Sequence, residues 1–361
     1  MKKKALIFKL VASLLVFSIC FGGFLALLSG HNTIALAESP EQASSGTLNY
    51  SDGSIYEGET LYGRIRNGTG TFTWPSGETY TGNWENDNFT GTGEMTWPNL
   101  GTYSGEFSNG KRDGTGTFTW AYSGDPEEGN PVSYEGSWTA DQIGPSGKLT
   151  LAGIGTYEGE FTKNTRNGLG TFTWLNGDVY TGSWSNDVIN GEGKLTLTDG
   201  TVLEGNFMKG ELKNGTITYA VSGGKAIRDI QNGKVKDTTT IIYDDGTSVT
   251  GKLKDKEFTG NVTIKYPSGD VYVGSLRAGV KDGKGTYTWA SGAHYIGNWE
   301  NDKMSGTGKY FYGKDESMLY LSGTFKDGLP SGKLIYVSDN RLKYETTWSN
   351  GNCTNIVYKK K

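Results

Sequence analysis

The phrase Tyr-x-Gly-x-Trp/Phe, followed after a polar turn by Gly-x-Gly-x-x-x-Trp, returns about every 23 residues from Tyr56 almost to the end of the chain. A period of this size marks a repeat array, in which no unit can bury its apolar face alone and each leans on its neighbours. The anchoring tyrosines are Tyr56, Tyr80, Tyr103, Tyr134, Tyr157 and Tyr180, then Tyr272, Tyr295 and Tyr344. Between them the anchor lapses to Leu203, Ile227 and Val249, and once more, late in the chain, to Leu321. The interval from Tyr103 to Tyr134 is longer than the rest because the acidic, Pro/Gly-rich stretch 121–133 reads as a turn grown into a loop.

Each unit reads as a β-hairpin. In Tyr157-Glu-Gly-Glu-Phe161 and Gly168-Leu-Gly-Thr-Phe-Thr-Trp174, two short alternating runs flank a polar turn. Residues two apart in a strand share a face, so Tyr157, Gly159 and Phe161 oppose Glu158 and Glu160. Glycine weakens a strand unless its empty space is needed, and here the space is expected to receive an aromatic ring from an adjacent strand or hairpin. Turns such as Pro75-Ser-Gly77 and Asn176-Gly177 place glycine where a tight turn demands a positive φ.

These units resemble the MORN repeat family, whose members carry a Tyr-x-Gly-x-Trp/Phe strand, a polar turn and a Gly-x-Gly-x-aromatic strand. Tyr80-Thr-Gly-Asn-Trp84 and Tyr295-Ile-Gly-Asn-Trp299 are near-matches. The resemblance covers about residues 46–361. It implies an all-β, elongated single-layer antiparallel sheet of tandem hairpins, with roles in protein–protein contact and in proximity to membranes. The repeat-defining pairs are Tyr56 and Gly58, Tyr80 and Gly82, Tyr103 and Gly105, Tyr157 and Gly159, Tyr180 and Gly182, Tyr272 and Gly274, and Tyr295 and Gly297. Matching weakens over about 203–271, and the segments 46–53 and 344–358 read as caps. The end strands, with unpaired backbone, could serve end-to-end self-association.

Residues 1–37 differ in kind. Lys2, Lys3, Lys4 and Lys9 precede an uncharged, mostly apolar run from Leu10 to Leu28, and Ala35-Leu36-Ala37 offers small residues at a cleavage site. This reads as an N-terminal hydrophobic helix, either an export signal cleaved near Ala37 or an uncleaved membrane anchor, followed by a linker at 38–45. Both outcomes place the repeats outside the cytoplasm. Ile19 before Cys20 does not fit a lipidation signal, and Leu329-Pro-Ser-Gly332 is not followed by a wall-sorting tail. Beyond this segment Cys353 is the one cysteine, so the array holds no internal disulfide.

Composition narrows the chemistry. The chain has 45 aromatic residues, 56 glycines and 2 histidines, and a formal charge of −4 that becomes −8 once residues 1–37 are removed. An acidic body gives no reason to expect nucleic-acid binding, and His31 and His294 cannot build a His-dependent triad or a His-rich metal site. No catalytic, cofactor or metal residues are assigned. The Gly-x-Gly runs lead into no helix and so are not phosphate loops. The basic patches Lys111-Arg112, Lys252 to Lys256 and Lys359 to Lys361 read as solvated edges. Most rings should pack within the sheet, and Trp84, Trp97, Trp184 and Trp299 are the candidate binding-face aromatics.

The leading reading is a non-enzymatic extracytoplasmic repeat scaffold that contacts a protein partner or a membrane or cell-wall component. Two rivals stand beside it. One is an extracellular glycan-binding array using exposed rings; the other is a polysaccharide-processing enzyme on a parallel β-helix, which would show parallel neighbouring strands.

Overall fold

The computed structural model of the protein describes residues 43–122, 125, 127–313 and 319–359. The segment 1–37, most of the linker 38–45, parts of the 121–133 loop and the last two lysines lie outside the described residues. Those described form 28 β-strands and no helix, so none is long and apolar enough to cross a membrane. The chain divides into two compact units. The first takes the residues up to Asp199 with Glu204–Leu212, and the second takes Gly200–Leu203 with Lys213 onward.

In the first unit, strand Gly155–Thr162 lies antiparallel between Gln142–Leu151 and Thr165–Trp174, and the last of these pairs onward with Val179–Ser185. In the second unit, Val271–Arg277 lies antiparallel between Glu257–Lys265 and Val280–Thr288. Each unit is thus an open antiparallel sheet of consecutive hairpins. A parallel β-helix is excluded, because its neighbouring strands would run the same way.

The hairpins are built around one local contact. The ring of Tyr157 lies across Gly159 of its own strand and Gly170 of the next, which face each other in register. A Cβ on Gly170 would stand 2.5 Å from the Tyr157 Cζ, and one on Gly159 would stand 2.6 Å from its Oη. The same geometry recurs where Tyr56 covers Gly58, Tyr80 covers Gly82, Tyr103 covers Gly105, Tyr180 covers Gly182, Tyr272 covers Gly274 and Tyr295 covers Gly297. All these tyrosines are fully buried. Across the ladder each glycine again meets glycine: Gly58 pairs with Gly70, Gly182 with Gly193, Gly274 with Gly285 and Gly297 with Gly308. Burying a large apolar side chain contributes roughly 1.5–3 kcal/mol, and the glycine pair is what lets the ring lie flat on backbone.

This corrects the expectation about which ring fills the space. At Gly58, Gly182, Gly274 and Gly297, as at Gly159, the ring comes from the tyrosine two residues earlier on the same strand, not from an adjacent strand or hairpin. The reason is the two-residue repeat of a strand, which puts Tyr and Gly on one face and lets the ring fold forward along its own chain. A Cβ on Gly58 would stand 2.7 Å from the Tyr56 hydroxyl, and one on Gly182 or Gly274 would stand 2.6 Å from that of Tyr180 or Tyr272. Only the glycine on the facing strand receives its ring from a neighbour.

Past the glycine pair the ladder shifts register, with Glu160 alone facing Asn167–Leu169 before Phe161 pairs with Arg166. This is a β-bulge, and Gly168 at its centre adopts φ +103°, a conformation in which a side chain is strained. The Tyr157 hydroxyl donates to the Glu160 carbonyl at 2.9 Å and so satisfies an acceptor at the shift. Turn chemistry follows expectation at Gly177, whose φ is +88°. It also includes a second type, in which both central residues have positive φ, as in Asn186 (+48°) and Asp187 (+66°).

The weak middle keeps the period but not the expected anchor. Ala226 is fully buried and Ile230, four residues on, is buried at 5%, the spacing of Tyr80 and Trp84, whereas Ile227 is half-buried. The anchor of that repeat is therefore Ala226 and not Ile227, which keeps the interval at 23 residues between Leu203 and Val249. The pattern misleads because Ile is the larger apolar residue, while the strand's alternation puts Ala inside. Ala226, Val249, Phe258, Val262 and Ile264 join Tyr272, Tyr295 and Trp299 in the core of the second unit. Around Ala226 and Val249, ordinary apolar packing takes over from the ring-on-glycine packing that resumes at Tyr272.

Two measurements test this account. Gly170→Ala should destabilise the first unit by about 1–3 kcal/mol through overpacking, while Gly46→Ala, whose Cβ would meet nothing, should be neutral in denaturant titrations. Equal stabilities would remove the ring contact as the organising interaction. Burial pushes Tyr56, Tyr103, Tyr157, Tyr180, Tyr272 and Tyr295 up to about 12. Their contribution to stability is fully present below the ordinary phenol pKa near 10 and is lost as pH rises toward 12. The part of the phenolate absorbance that these six rings supply should accordingly appear only together with loss of the sheet signal. Complete tyrosine ionisation near pH 10 with the sheet intact would contradict it.

Candidate functional site

The tryptophans before the last hairpin fall into two classes. Those at the end of Tyr-x-Gly-x-Trp lie inside: Trp84, Trp138, Trp184 and Trp299 are 3%, 2%, 5% and 6% exposed. Trp84 stands edge-on between Tyr56 and Tyr80, at 5.4 and 5.2 Å, and its Nε1 donates to the Gly70 carbonyl at 3.0 Å. Trp184 and Trp299 repeat this with Gly170 and Gly285. Rings held in this way offer no free face to a sugar. Trp299 does border a hollow of about 300 Å³ with Tyr287, Trp289 and Met304. The other class ends the second strand of a hairpin and is half-buried: Trp74, Trp97, Trp120, Trp174 and Trp289. Of the four candidate rings only Trp97 belongs to it.

Against the buried tryptophans lies a buried cation. Arg112, expected at a solvated edge, is 4% exposed. Its guanidinium lies 4.5 Å from the Trp138 ring centre, and its Nε donates to Asp141 Oδ1 at 3.1 Å. Its backbone N–H donates to the same oxygen, which ties one hairpin's strand to the next hairpin's turn. Arg66 with Trp84 and Asp87, and Arg166 with Trp184 and Asp187, reproduce the arrangement, with the guanidinium 4.4 and 4.7 Å from the rings. Burial lowers the Arg112 pKa from its ordinary value, and the hydrogen bond to Asp141 opposes that shift. In the second unit Lys281 takes this place, 5.4 Å from the Trp299 ring and 3.6 Å from Asp302.

The intervening contacts between hairpins carry Phe89, Ile143 and Ile189 in place of the arginine, and Phe107, Phe161 and Phe207 of the following hairpin in place of the tryptophan. In the first unit the structural period is therefore two repeats. The signal was present in the sequence as Arg66, Arg112 and Arg166 recurring in every second hairpin, each matched by an aspartate one turn further on.

His294, expected as a strand or turn residue, begins strand His294–Glu300, is 6% exposed and stacks on Phe311 at 4.5 Å. Among the described residues no group of three His, Cys, Asp or Glu side chains is placed to hold a metal ion. Cys353 is free and exposed on strand Asn352–Tyr358.

With the rings consumed on one face, the opposite face of the first unit is the open surface. Gly82, Gly93, Gly105, Gly116 and Gly136 floor a trough of about 750 Å³, flanked by Thr81, Asn83, Thr92, Glu94, Ser104, Thr115, Thr117 and Glu135. Of the repeat-defining glycines, only Gly82 and Gly105 belong to this floor. Gly58, Gly159, Gly182, Gly274 and Gly297 lie outside it, and their place in the structure is beneath their own tyrosine rings. The trough wall is pinned by hydrogen bonds across the bulge. Glu106 accepts from the Thr115 backbone N–H at 3.1 Å and from its hydroxyl, which holds the Glu106 carboxyl below the usual carboxylate range. Glu59 binds Thr69 in the same manner. Such a trough offers hydroxyls, carboxylates and close-lying backbone to a docked surface.

Comparison with known proteins accords with this geometry. The MORN repeat family model matches seven segments, at residues 65–79, 80–102, 103–121, 157–179, 180–202, 272–294 and 295–315. Four of them lie wholly before residue 180, and none falls in the weak middle, where aliphatic packing replaces tyrosine on glycine. No curated protein matches the chain. Among solved structures, the TCP domain of SAS-4 (dCPAP) of Drosophila melanogaster, in complex with a Proline Rich Motif of Ana2 (dSTIL), is 11% identical. That match covers 74% of this chain and 99% of that one at a TM-score of 0.13, too low to carry any inference.

The buried cation is open to test. Arg166→Lys keeps the charge but loses the planar fork, and should cost about 1–3 kcal/mol in equilibrium unfolding. Lys281→Arg in the second unit should be neutral or stabilising. Wild-type stability in Arg166→Lys would show that the charge alone suffices.

Proposed function

We propose that the chain is a non-enzymatic interaction scaffold whose working surface is the Gly-floored polar face, docking a protein partner. The observation that supports this is the division of labour between faces. The anchoring tyrosines, the tryptophans of Tyr-x-Gly-x-Trp and Arg66, Arg112 and Arg166 are used up in holding the hairpins together, while the trough repeats strand by strand with side chains that carry no packing duty. A surface of this kind can vary its residues without cost to the fold, as repeat scaffolds do. The seven MORN matches fit a scaffold for protein or membrane-proximal contact. The amino-acid pattern of residues 1–37 alone supports a place outside the cytoplasm, by anchoring or by export with cleavage near Ala37.

Glycan binding is the weaker reading, since it needs exposed rings and three of the four candidate binding-face tryptophans are buried. A photo-reactive amino acid placed at Thr117, in the trough, should give a discrete protein adduct in intact cells. That adduct should disappear on adding Glu94→Lys and Glu135→Lys. A probe at Leu175, which is 72% exposed and lies outside the trough, is the control. An adduct pattern at Thr117 no different from that at Leu175 would overturn the reading.

A further inference from the structure

The two units carry opposite charge. Residues 43–212 hold 22 acidic and 9 basic side chains, whereas residues 213–361 hold 15 acidic and 22 basic ones. Part of this asymmetry lies on the glycine-flanking face. In the first unit one cross-strand row runs Thr81, Glu94, Ser104, Thr117, Glu135, Lys148, Glu158, each residue paired in register with the next. Glu106 and Glu160 flank it. The equivalent row of the second unit runs Val273, Thr286, Ile296, Lys309, again in register. Lys252, ion-paired with Asp237 at 3.6 Å, and Lys284 are both exposed, and each follows a glycine, Gly251 and Gly283.

The second row also contains something a merely solvated face does not need. Val273 is 50% exposed and Ile296 is 40% exposed, at repeat positions held by Ser104 and Glu135 in the first unit. The first unit is therefore an acidic trough, and the second presents a basic surface with apolar centres on the same strand spacing. Opposite charge steers such faces together and fixes their register, and burial of the two aliphatic side chains adds apolar area that charge alone does not supply.

We infer that this basic, Val273/Ile296-centred face of one copy docks on the acidic trough of a second copy, so that the chain associates with itself through unlike units. The inference rests on the trough being the working face, and it names a second copy of the chain as the occupant. The contact is heterologous, because an acidic face of one copy meets a basic face of the other.

The test uses the purified protein and two triple variants at exposed positions. Glu94→Lys/Glu135→Lys/Glu158→Lys leaves both faces without an acidic excess, and Lys252→Glu/Lys284→Glu/Lys309→Glu leaves both without a basic one. Sedimentation should show wild-type association at low ionic strength that is lost near ~1 M salt, where the screening length falls to about 3 Å. Each variant alone should associate more weakly than wild type by at least roughly tenfold, and an equimolar mixture of the two should restore a complex. Restoration also shows that both variants are folded. A wild-type monomer at low salt, a compact monomer formed by the chain docking on itself, or failure of the mixture to associate would each overturn the inference. A foreign protein cross-linked at Thr117 would in that case leave the scaffold reading standing.

Discussion

The tyrosine ring laid across two facing glycines is the interaction on which the rest of the structure depends. It uses a side chain and a vacancy only two residues apart in sequence, yet it joins two strands, because the second glycine belongs to the next run. Once the ring is there, the backbone beneath it must be bare, and the phenol hydroxyl reaches the carbonyl at the register shift. The bulge, the glycine with positive φ and the inward place of the following tryptophan all follow from seating that ring. A hairpin alone is marginal in water, and the seated ring gives it a reason to recruit the next, whose tryptophan packs edge-on against it, as Trp184 does on Tyr157.

A second level of order is laid over the first. In the first unit the arginine-bearing hairpins alternate with aliphatic and phenylalanine-bearing ones, so that each buried guanidinium has a tryptophan face and a turn aspartate while its neighbours pack without charge. Two guanidinium groups in adjacent hairpins would crowd like charges in a poorly solvated seam, and alternation avoids that. The loop at 121–133 does not disturb the phase. Its surplus residues lie between Trp120 and Tyr134, and Arg112 still finds Asp141 on the far side. Where tyrosine lapses, at Ala226 and Val249, and at the first of these the glycine too, the period survives because strand alternation and hairpin length remain.

Function then falls to what the packing leaves free. One face is fully committed, and substitutions there are paid for in stability. The other is a floor of glycine backbone edged by threonine, serine, glutamate and lysine, free to differ from repeat to repeat. That freedom accounts for an acidic trough in one unit and a basic, partly aliphatic surface in the other, both built on the same backbone.

Much of this was legible in the letters. The 23-residue period, the hairpin, the antiparallel neighbours and the inward tyrosines follow from alternation and turn chemistry, which are local and recur along the chain. Four things needed the folded chain. The bare backbone at Gly58 or Gly274 announces a ring, but only the fold shows that the ring is the strand's own tyrosine. Ile227 against Ala226 is a one-residue choice of face, and only the partner strand decides it. Arg112 beside Lys111 looks like a solvated pair until the Trp138 ring and the Asp141 turn, brought together from the next hairpin, bury it. Trp84 and Trp174 read alike as aromatic letters, but the first lies under a tyrosine and the second at a strand end. By itself the sequence determined the unit and its periodicity, because those are set by contacts within a hairpin. The tertiary structure alone decided which rings and charges stay in water, because burial depends on what the neighbouring hairpin places on top of them.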